Sequence, residues 1–236
     1  MSEAELSFEL PGGARALFTS RAHGNLSSVG GEGAEHGSGA RERLREQVGV
    51  KRLARGYQVH GTVVQRRRSG VDEDDDLESD GQATALCDLG MMVFTADCLP
   101  VALAGSGAVA MVHAGWRGLA SGILEEGVSA LRELGGEHTR ASMVEEGSSE
   151  ELVAVIGPAA GPCCYEVGEE VHAAFGGAHR DGRLIDLKAI ARERLLAAGV
   201  AEVRVLEACT ICDEQFFSYR REGARAGRQG GVAWMS

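Results

Sequence analysis

The segment Val109-Ala110-Met111-Val112-His113-Ala114-Gly115-Trp116-Arg117-Gly118 carries the strongest structural signals in the chain. Its first four residues form a compact apolar run, which is typical of a buried central strand. After Gly118, apolar residues continue at helical spacing, namely Leu119, Ile123, Val128 and Leu131. The segment therefore predicts a buried strand that ends at His113 in a glycine-containing turn and leads into a helix.

Short apolar runs on both sides of this segment predict further strands. They lie at residues 14–19, 53–64, 91–94, 152–156 and 203–206. A short helix is predicted over 41–48, and a longer one is predicted from Leu187 to Leu195, with Asp186 as its N-cap and Gly199 as its stop signal. Because strands and helices do not alternate strictly, this order favours an α+β fold with a mixed β-sheet over a doubly wound fold.

Length and composition are those of an ordinary folded protein. The chain has 236 residues, of which 44% are hydrophobic, so a large core can form without disulfide bonds. No repeat or Pro/Ser-rich linker divides the sequence, and we expect residues 1–236 to form a single domain. The acidic run at 72–76 and the polar stretch at 137–151 are expected to be exposed connections.

The net charge of −11 at pH 7 argues against nucleic acid or an anionic membrane as a partner, because both select for a basic surface. No apolar run reaches the roughly 18 residues of a membrane span. The first residues also lack the basic and apolar pattern of a secretory signal. We therefore expect a cytoplasmic protein whose six cysteines stay reduced.

Three residues that can bind a metal lie where predicted strands give way to turns. His60 and His113 each precede a glycine or an Ala-Gly pair, and Cys98 lies between Asp97 and Leu99. A His/Cys/His set suits zinc or another late transition metal, and it leaves a fourth position open for water or substrate. The spacings of 38 and 15 residues are not those of a zinc finger, so packing roles remain the alternative from spacing alone.

These three segments, in this order, resemble the YfiH-like family, which is also known as the multicopper polyphenol oxidase or laccase-domain family. Further stretches are similar to segments of that family: Gly157-Pro158, Cys163-Cys164-Tyr165-Glu166, Cys209-Thr210, Phe216-Phe217-Ser218-Tyr219-Arg220-Arg221 and Gly227-Arg228-Gln229. The resemblance extends from about residue 18 to residue 229. It is weakest near Arg41, which follows Ala40 where the family usually has asparagine.

The resemblance implies a layered α/β/β/α sandwich with a mixed β-sheet. It also implies that His60, Cys98 and His113 bind zinc and belong to the catalytic set. Members of the family are described as enzymes that phosphorolyse adenosine, inosine, guanosine and methylthioadenosine and that deaminate adenosine. The resemblance thus predicts a purine nucleoside phosphorylase with adenosine deaminase activity.

Three further residues receive roles from this chemistry. Asp97 lies beside Cys98 and is the expected proton shuttle. Arg117 and Arg41 are expected to bind phosphate, although a surface position at a helix start is an equal alternative for Arg117. The expected partners are a small nucleoside and phosphate, and the chain is expected to be a monomer or a small homo-oligomer.

Other functions are weighed against this prediction. A multicopper oxidase commonly uses His-x-His pairs, whereas this chain has seven histidines and no such pair, which argues against copper and against polyphenol oxidase activity. A cysteine-type hydrolase or editing enzyme acting on a cell-wall precursor stays open, with Cys98 as nucleophile and His113 as base. A scaffold role has no positive support in the sequence.

Four of the five other cysteines form two pairs along the chain. Cys163 and Cys164 are adjacent, and Cys209 and Cys212 form a Cys-x-x-Cys motif. Taken alone, either pair is compatible with metal binding. Cys163 and Cys164 are also compatible with a nucleophilic role, and the Cys-x-x-Cys motif is also compatible with redox chemistry. We interpret both pairs as structural.

Overall fold

The computed structural model describes residues 3–69, 77–142 and 151–236. The strands are β1 Ser7–Glu9, β2 Ala14–Phe18, β3 Arg52–Ala54, β4 Val64–Arg67, β5 Gly81–Thr84, β6 Leu89–Thr95, β7 Leu99–Gly105, β8 Ala108–Ala114, β9 Val153–Ile156, β10 Arg180–Asp181, β11 Leu184–Ile185, β12 Glu202–Val205 and β13 Gln229–Met235. The α-helices are α1 Gly37–Val48, α2 Trp116–Ser121, α3 Ile123–Ser142, α4 Glu169–Ala174, α5 Leu187–Ala197 and α6 Tyr219–Glu222.

Two mixed sheets form the centre of the protein. The larger sheet has the strand order β12-β9-β7-β8-β5-β4, and the second sheet has the order β1-β2-β13-β6-β3. Both contain parallel and antiparallel pairs; for example, β12 runs parallel to β9 whereas β7 runs antiparallel to β8. The prediction of an α+β fold with mixed sheet is confirmed.

Strand β8 shows how the layers are stacked. Its side chains alternate between two apolar clusters, because successive residues of a strand point to opposite faces. Ala110 and Val112 belong to the cluster that includes the buried residues of α3 and α5. Val109 and Met111 belong to the cluster shared with the second sheet. Since α1 contacts β3 of the second sheet, the layers are helices, larger sheet, second sheet and helix, as the predicted sandwich requires.

The helix predicted after Gly118 is two helices. Helix α2 begins earlier, at Trp116, and ends at Ser121, because the next residue, Gly122, has a left-handed φ of 100° that breaks the helix. The next helix, α3, continues to Ser142, so the prediction of a connection from residue 137 was wrong for its first six residues, where no glycine or proline interrupts the helix. Residues 143–150 and the acidic run at 72–76 lie outside the described residues.

The predicted strand at 53–64 was also wrong over most of its length. Only its two ends are strands, in β3 and β4, and the residues between them form a loop. In this loop, the backbone N–H groups of Val59, His60 and Gly61 donate to the carboxylate of Asp80. A side chain therefore takes the hydrogen bonds that a neighbouring strand would otherwise accept.

The remaining predicted elements agree with the structure. Helix α1 starts four residues earlier than predicted, at Gly37. Asp186 caps α5 by accepting a hydrogen bond of 3.0 Å from the backbone of Ala189, and Gly199 follows the helix with a left-handed φ of 87°. Within the described residues, no helix combines the length and the apolar character that a bilayer crossing requires.

Candidate metal centre

Two adjacent strands bring two of the predicted metal ligands together. In the antiparallel pair β7–β8, Pro100 is opposite His113 and Leu99 is opposite Ala114. Cys98 immediately precedes β7, so it lies beside the end of β8 that carries His113. The hairpin register alone therefore places the thiol and the imidazole on the same edge of the larger sheet.

The loop between β3 and β4 brings the third residue to the same place. The ligand atoms of His60, Cys98 and His113 all lie within 4.8 Å of one another. The Cys98 Sγ atom is 3.8 Å from His60 Nε2, and the two imidazole rings meet edge to face with centroids 4.9 Å apart. His60 is exposed, Cys98 is half-buried and His113 is buried, so the group opens toward solvent on one side.

Two glycines make this close approach possible. An added Cβ at Gly115 would lie 2.6 Å from His60 Cδ2 and 3.2 Å from Cys98 Sγ. An added Cβ at Gly118 would lie 2.7 Å from the carbonyl oxygen of Gly61. Any larger residue at either position would push the His60 loop away from β8, which explains the glycines on both sides of Trp116.

A buried carboxylate, which the sequence analysis did not identify, orients the site. Asp80 is fully buried, and its Oδ1 accepts a hydrogen bond of 2.7 Å from His113 Nδ1. The same carboxylate accepts the backbone N–H groups of His60 at 2.9 Å and Gly61 at 2.7 Å. Asp80 thus fixes the ring of His113 with Nε2 free to coordinate, and it also fixes the loop that carries His60.

The charges at the site stabilise one another. Burial raises the pKa of the Cys98 thiol, but the neighbouring His113 and His60 outweigh burial and lower that pKa to about 6. Burial lowers the pKa of His113, whereas Cys98 and Asp80 raise it to about 9. Burial raises the pKa of Asp80, but the hydrogen bonds from His113, Gly61 and Val59 outweigh burial and lower that pKa below its usual value. The three side chains by themselves therefore favour a thiolate beside an imidazolium.

Two site residues have unusual backbone conformations. His60 has a φ of 62° and Asp97 a φ of 91°, in a region that residues other than glycine rarely adopt. Such conformations cost of order 1–3 kcal/mol and cluster at functional sites. The turn at Asp97 turns Cys98 toward the two histidines.

Asp97 itself is held by the C-terminal part of the chain. Its Oδ1 accepts a hydrogen bond of 2.7 Å from the hydroxyl of Thr210, and its Oδ2 accepts one of 2.7 Å from the backbone N–H of Arg220. The guanidinium of Arg220 also lies over the ring of Tyr165, 4.7 Å from its centroid. Burial raises the pKa of Tyr165, and the charges of Cys98 and Asp97 raise it further, whereas the charge of Arg220 acts in the opposite direction.

The two predicted phosphate-binding arginines occupy different elements. Arg117 is exposed in the first turn of α2, and its guanidinium lies 4.4 Å from the ring centroid of Trp116. Arg41 lies on α1, with its guanidinium 6.0 Å from the ring centroid of Phe94. The backbone of Phe94 is in turn hydrogen-bonded in both directions to the side chain of Gln58 in the His60 loop.

The chain matches a family model described as multi-copper polyphenol oxidoreductase laccase over residues 12–236. It is 38% identical over 245 aligned residues to a protein named purine nucleoside phosphorylase from Xylella fastidiosa, with 95% of this chain and 88% of that protein covered. A protein with the same function in its name from Corynebacterium glutamicum is 31% identical, with 94% of each chain covered.

Solved structures of proteins similar in sequence share the fold of this chain. The Neisseria meningitidis protein NMB0706 superposes with a TM-score of 0.76 at 31% identity, with 97% of each chain covered. YlmD from Geobacillus stearothermophilus superposes with the same TM-score of 0.76 at 28% identity, with 96% of this chain and 94% of that chain covered. The chain therefore belongs to the YfiH-like family of laccase-domain proteins.

Proposed function

We propose that this protein is a zinc-dependent purine nucleoside phosphorylase that acts on adenosine, inosine, guanosine and methylthioadenosine and also deaminates adenosine. The observation that supports it most is the group formed by His60, Cys98 and His113, whose ligand atoms lie within 4.8 Å of one another. Relatives that are 31–38% identical carry the name purine nucleoside phosphorylase, and this supports the reaction class.

The donor atoms at the site fit zinc. Two imidazole nitrogens and one thiolate are ligands that zinc prefers, and three protein ligands are typical of catalytic zinc. His113 also has the carboxylate partner, Asp80, that metal-binding histidines commonly have. When bound, zinc supplies a Lewis acid that activates water at neutral pH.

Phosphorolysis requires the chain to hold an anion beside the nucleoside. The reaction breaks the glycosidic C–N bond and joins the anomeric carbon of the sugar to a phosphate oxygen. The forked guanidinium group binds phosphate through paired N–H donors. We assign this role to Arg117, four residues after His113, and to Arg41, whose neighbour Phe94 contacts the His60 loop.

Deamination also requires a proton carrier. Water adds to C6 of adenine and ammonia leaves, so a proton must move from the attacking water to the leaving nitrogen. Asp97 is the proposed carrier because it adjoins Cys98. The hydrogen bonds from Thr210 and Arg220 hold its carboxylate in place. We assign contact with the base to Tyr165, whose ring packs against the guanidinium of Arg220.

One observation favours a second candidate, a cysteine-type hydrolase. The pKa of Cys98 is raised by burial but lowered to about 6 by His113 and His60, and a thiolate next to an imidazole is also the arrangement of a catalytic cysteine. Both functions use the same thiolate, so the presence of a metal at Cys98 separates them.

Turnover of adenosine and inosine, with and without phosphate, tests the proposed function. Free base is expected only with phosphate, and inosine is expected from adenosine without phosphate. Cys98→Ala should lose zinc from the site and lower both rates by about 10³-fold or more, since metal catalysis contributes several kcal/mol. Cys87→Ser, which changes an exposed cysteine outside the site, should leave both rates unchanged.

Two results would contradict the proposed function. One is the absence of both free base and inosine. The other is a metal-free protein in which iodoacetamide alkylates Cys98 and abolishes a hydrolytic activity, which would favour the cysteine hydrolase.

Asp80→Asn tests the carboxylate that orients the site. The variant should bind zinc about 10–100-fold more weakly, because partners of this kind commonly contribute that factor to metal affinity. Zinc competition with a chromogenic chelator measures the change. Asp88→Asn is the matched control, because Asp88 is exposed and pairs with Lys51 at the surface. Unchanged zinc affinity in Asp80→Asn would show that the carboxylate does not control metal binding.

Asp97→Asn separates the two reactions. Inosine formation from adenosine should fall by about 10²–10⁴-fold, the usual contribution of a general acid–base group, while phosphorolysis of inosine should fall much less. Thr210→Val removes one hydrogen bond to the same carboxylate and should affect deamination only mildly. Equal losses of both reactions in Asp97→Asn would refute a proton-carrying role.

A further inference from the structure

Four cysteines form a second cluster, outside the site described above. Cys163 and Cys164 lie in the segment after β9, and Cys209 and Cys212 lie in the segment after β12. All four thiols are free, and their Sγ atoms lie within 4.8 Å of one another. The Sγ atom of Cys212 is 2.7 Å from that of Cys164 and 3.5 Å from that of Cys163.

The sulfur–sulfur separation of a tetrahedral zinc site lies between the two Cys212 distances and the 4.8 Å within which all four sulfurs are found. With zinc–sulfur bonds of 2.3 Å, neighbouring sulfurs of a tetrahedron are about 3.8 Å apart. Small side-chain rotations would bring the four sulfurs to this spacing, because Cys163 and Cys212 are exposed at the surface.

The backbone around Cys209 is arranged to stabilise a thiolate. Its Sγ accepts a hydrogen bond of 3.2 Å from the backbone N–H of Gly161. Hydrogen bonds to the charged form favour that form, and the thiolate is the form that binds metal. The hydrogen bond from Gly161 therefore favours the form of Cys209 that a metal ion requires.

A buried cation lies near the cluster. Lys188 is 3% exposed, and its ammonium group donates to the carbonyl oxygens of Leu206 and Ala208. Burial lowers the pKa of this ammonium group, and the charges of Glu207, Cys209 and Cys163 act in the opposite direction. Four thiolates around a divalent ion carry a net charge of about −2, and a buried ammonium group partly offsets that charge.

We propose that Cys163, Cys164, Cys209 and Cys212 bind a structural zinc ion. Four thiolate ligands leave no open position, so this ion would have no catalytic water. It would instead join two segments that are 45 residues apart between Cys164 and Cys209. The site is independent of the proposed activity at His60, Cys98 and His113.

The ion would support the first site through two neighbouring residues. Tyr165 directly follows Cys164, and Thr210 directly follows Cys209. The hydroxyl of Thr210 donates to Asp97 at 2.7 Å. Fixing the four sulfurs therefore fixes the segment that holds Asp97 and the segment that carries Tyr165.

The zinc content of the full chain tests this proposal in a Cys98→Ala background, where the first site is removed. Protein prepared under reducing conditions should contain one zinc per chain by elemental analysis. Adding Cys163→Ser and Cys212→Ser should remove that zinc and lower the melting temperature. Adding Cys87→Ser instead should change neither, because Cys87 lies outside both clusters.

Cobalt substitution provides a second measurement that does not depend on these variants. Co²⁺ added to the metal-free wild-type protein should give the intense visible absorption of tetrahedral thiolate-bound cobalt. That signal should remain in Cys98→Ala, because the four-cysteine cluster does not include Cys98. A failure of the proposed function would therefore leave the cobalt signal unchanged. A Cys98→Ala protein without zinc, zinc retained after Cys163→Ser and Cys212→Ser are added, or a Cys164–Cys212 disulfide in the reduced preparation would overturn the proposal.

Discussion

The candidate metal centre depends on one buried carboxylate. Asp80 accepts a hydrogen bond from the ring of His113 and three more from the backbone of residues 59–61. One group therefore orients a ligand on β8 and fixes the loop that supplies His60. Because Asp80 immediately precedes β5, which pairs with β8, the larger sheet itself places this carboxylate beside His113.

The rest of the site follows from the geometry of the sheet. The β7–β8 register places Cys98 beside His113, and Gly115 leaves the space into which the ring of His60 fits. The left-handed backbone conformations of His60 and Asp97 turn the His60 loop and the segment before β7 toward the candidate metal centre. Ligands held by strands, by a buried hydrogen-bond acceptor and by constrained turns are fixed in position before an ion binds, so less of the binding free energy is lost to ordering them.

Much of the framework could be predicted from local sequence, whereas the construction of the site could not. The apolar run before His113 predicts β8 because burial on both faces leaves a local signature. The His60 loop has no such signature, since its conformation depends on Asp80, which is 20 residues away in sequence. Likewise, Gly122 divides a continuous helical pattern through its backbone conformation. Cys164 meets Cys212, which is 48 residues away in sequence, through tertiary packing that leaves no local sequence signal.

Asp97 adjoins Cys98 of the candidate metal centre and accepts a hydrogen bond from Thr210, which directly follows Cys209 of the four-cysteine cluster. We propose that the first group is open to substrate and that the second is closed by its four ligands. The central claim is that zinc occupies the open group. Anomalous diffraction at the zinc absorption edge, from crystals grown with zinc, tests it most directly. A peak is predicted about 2.0–2.3 Å from the ring nitrogens of His60 and His113 and the sulfur of Cys98. The absence of a peak at that position, with the three side chains well ordered, would contradict the claim.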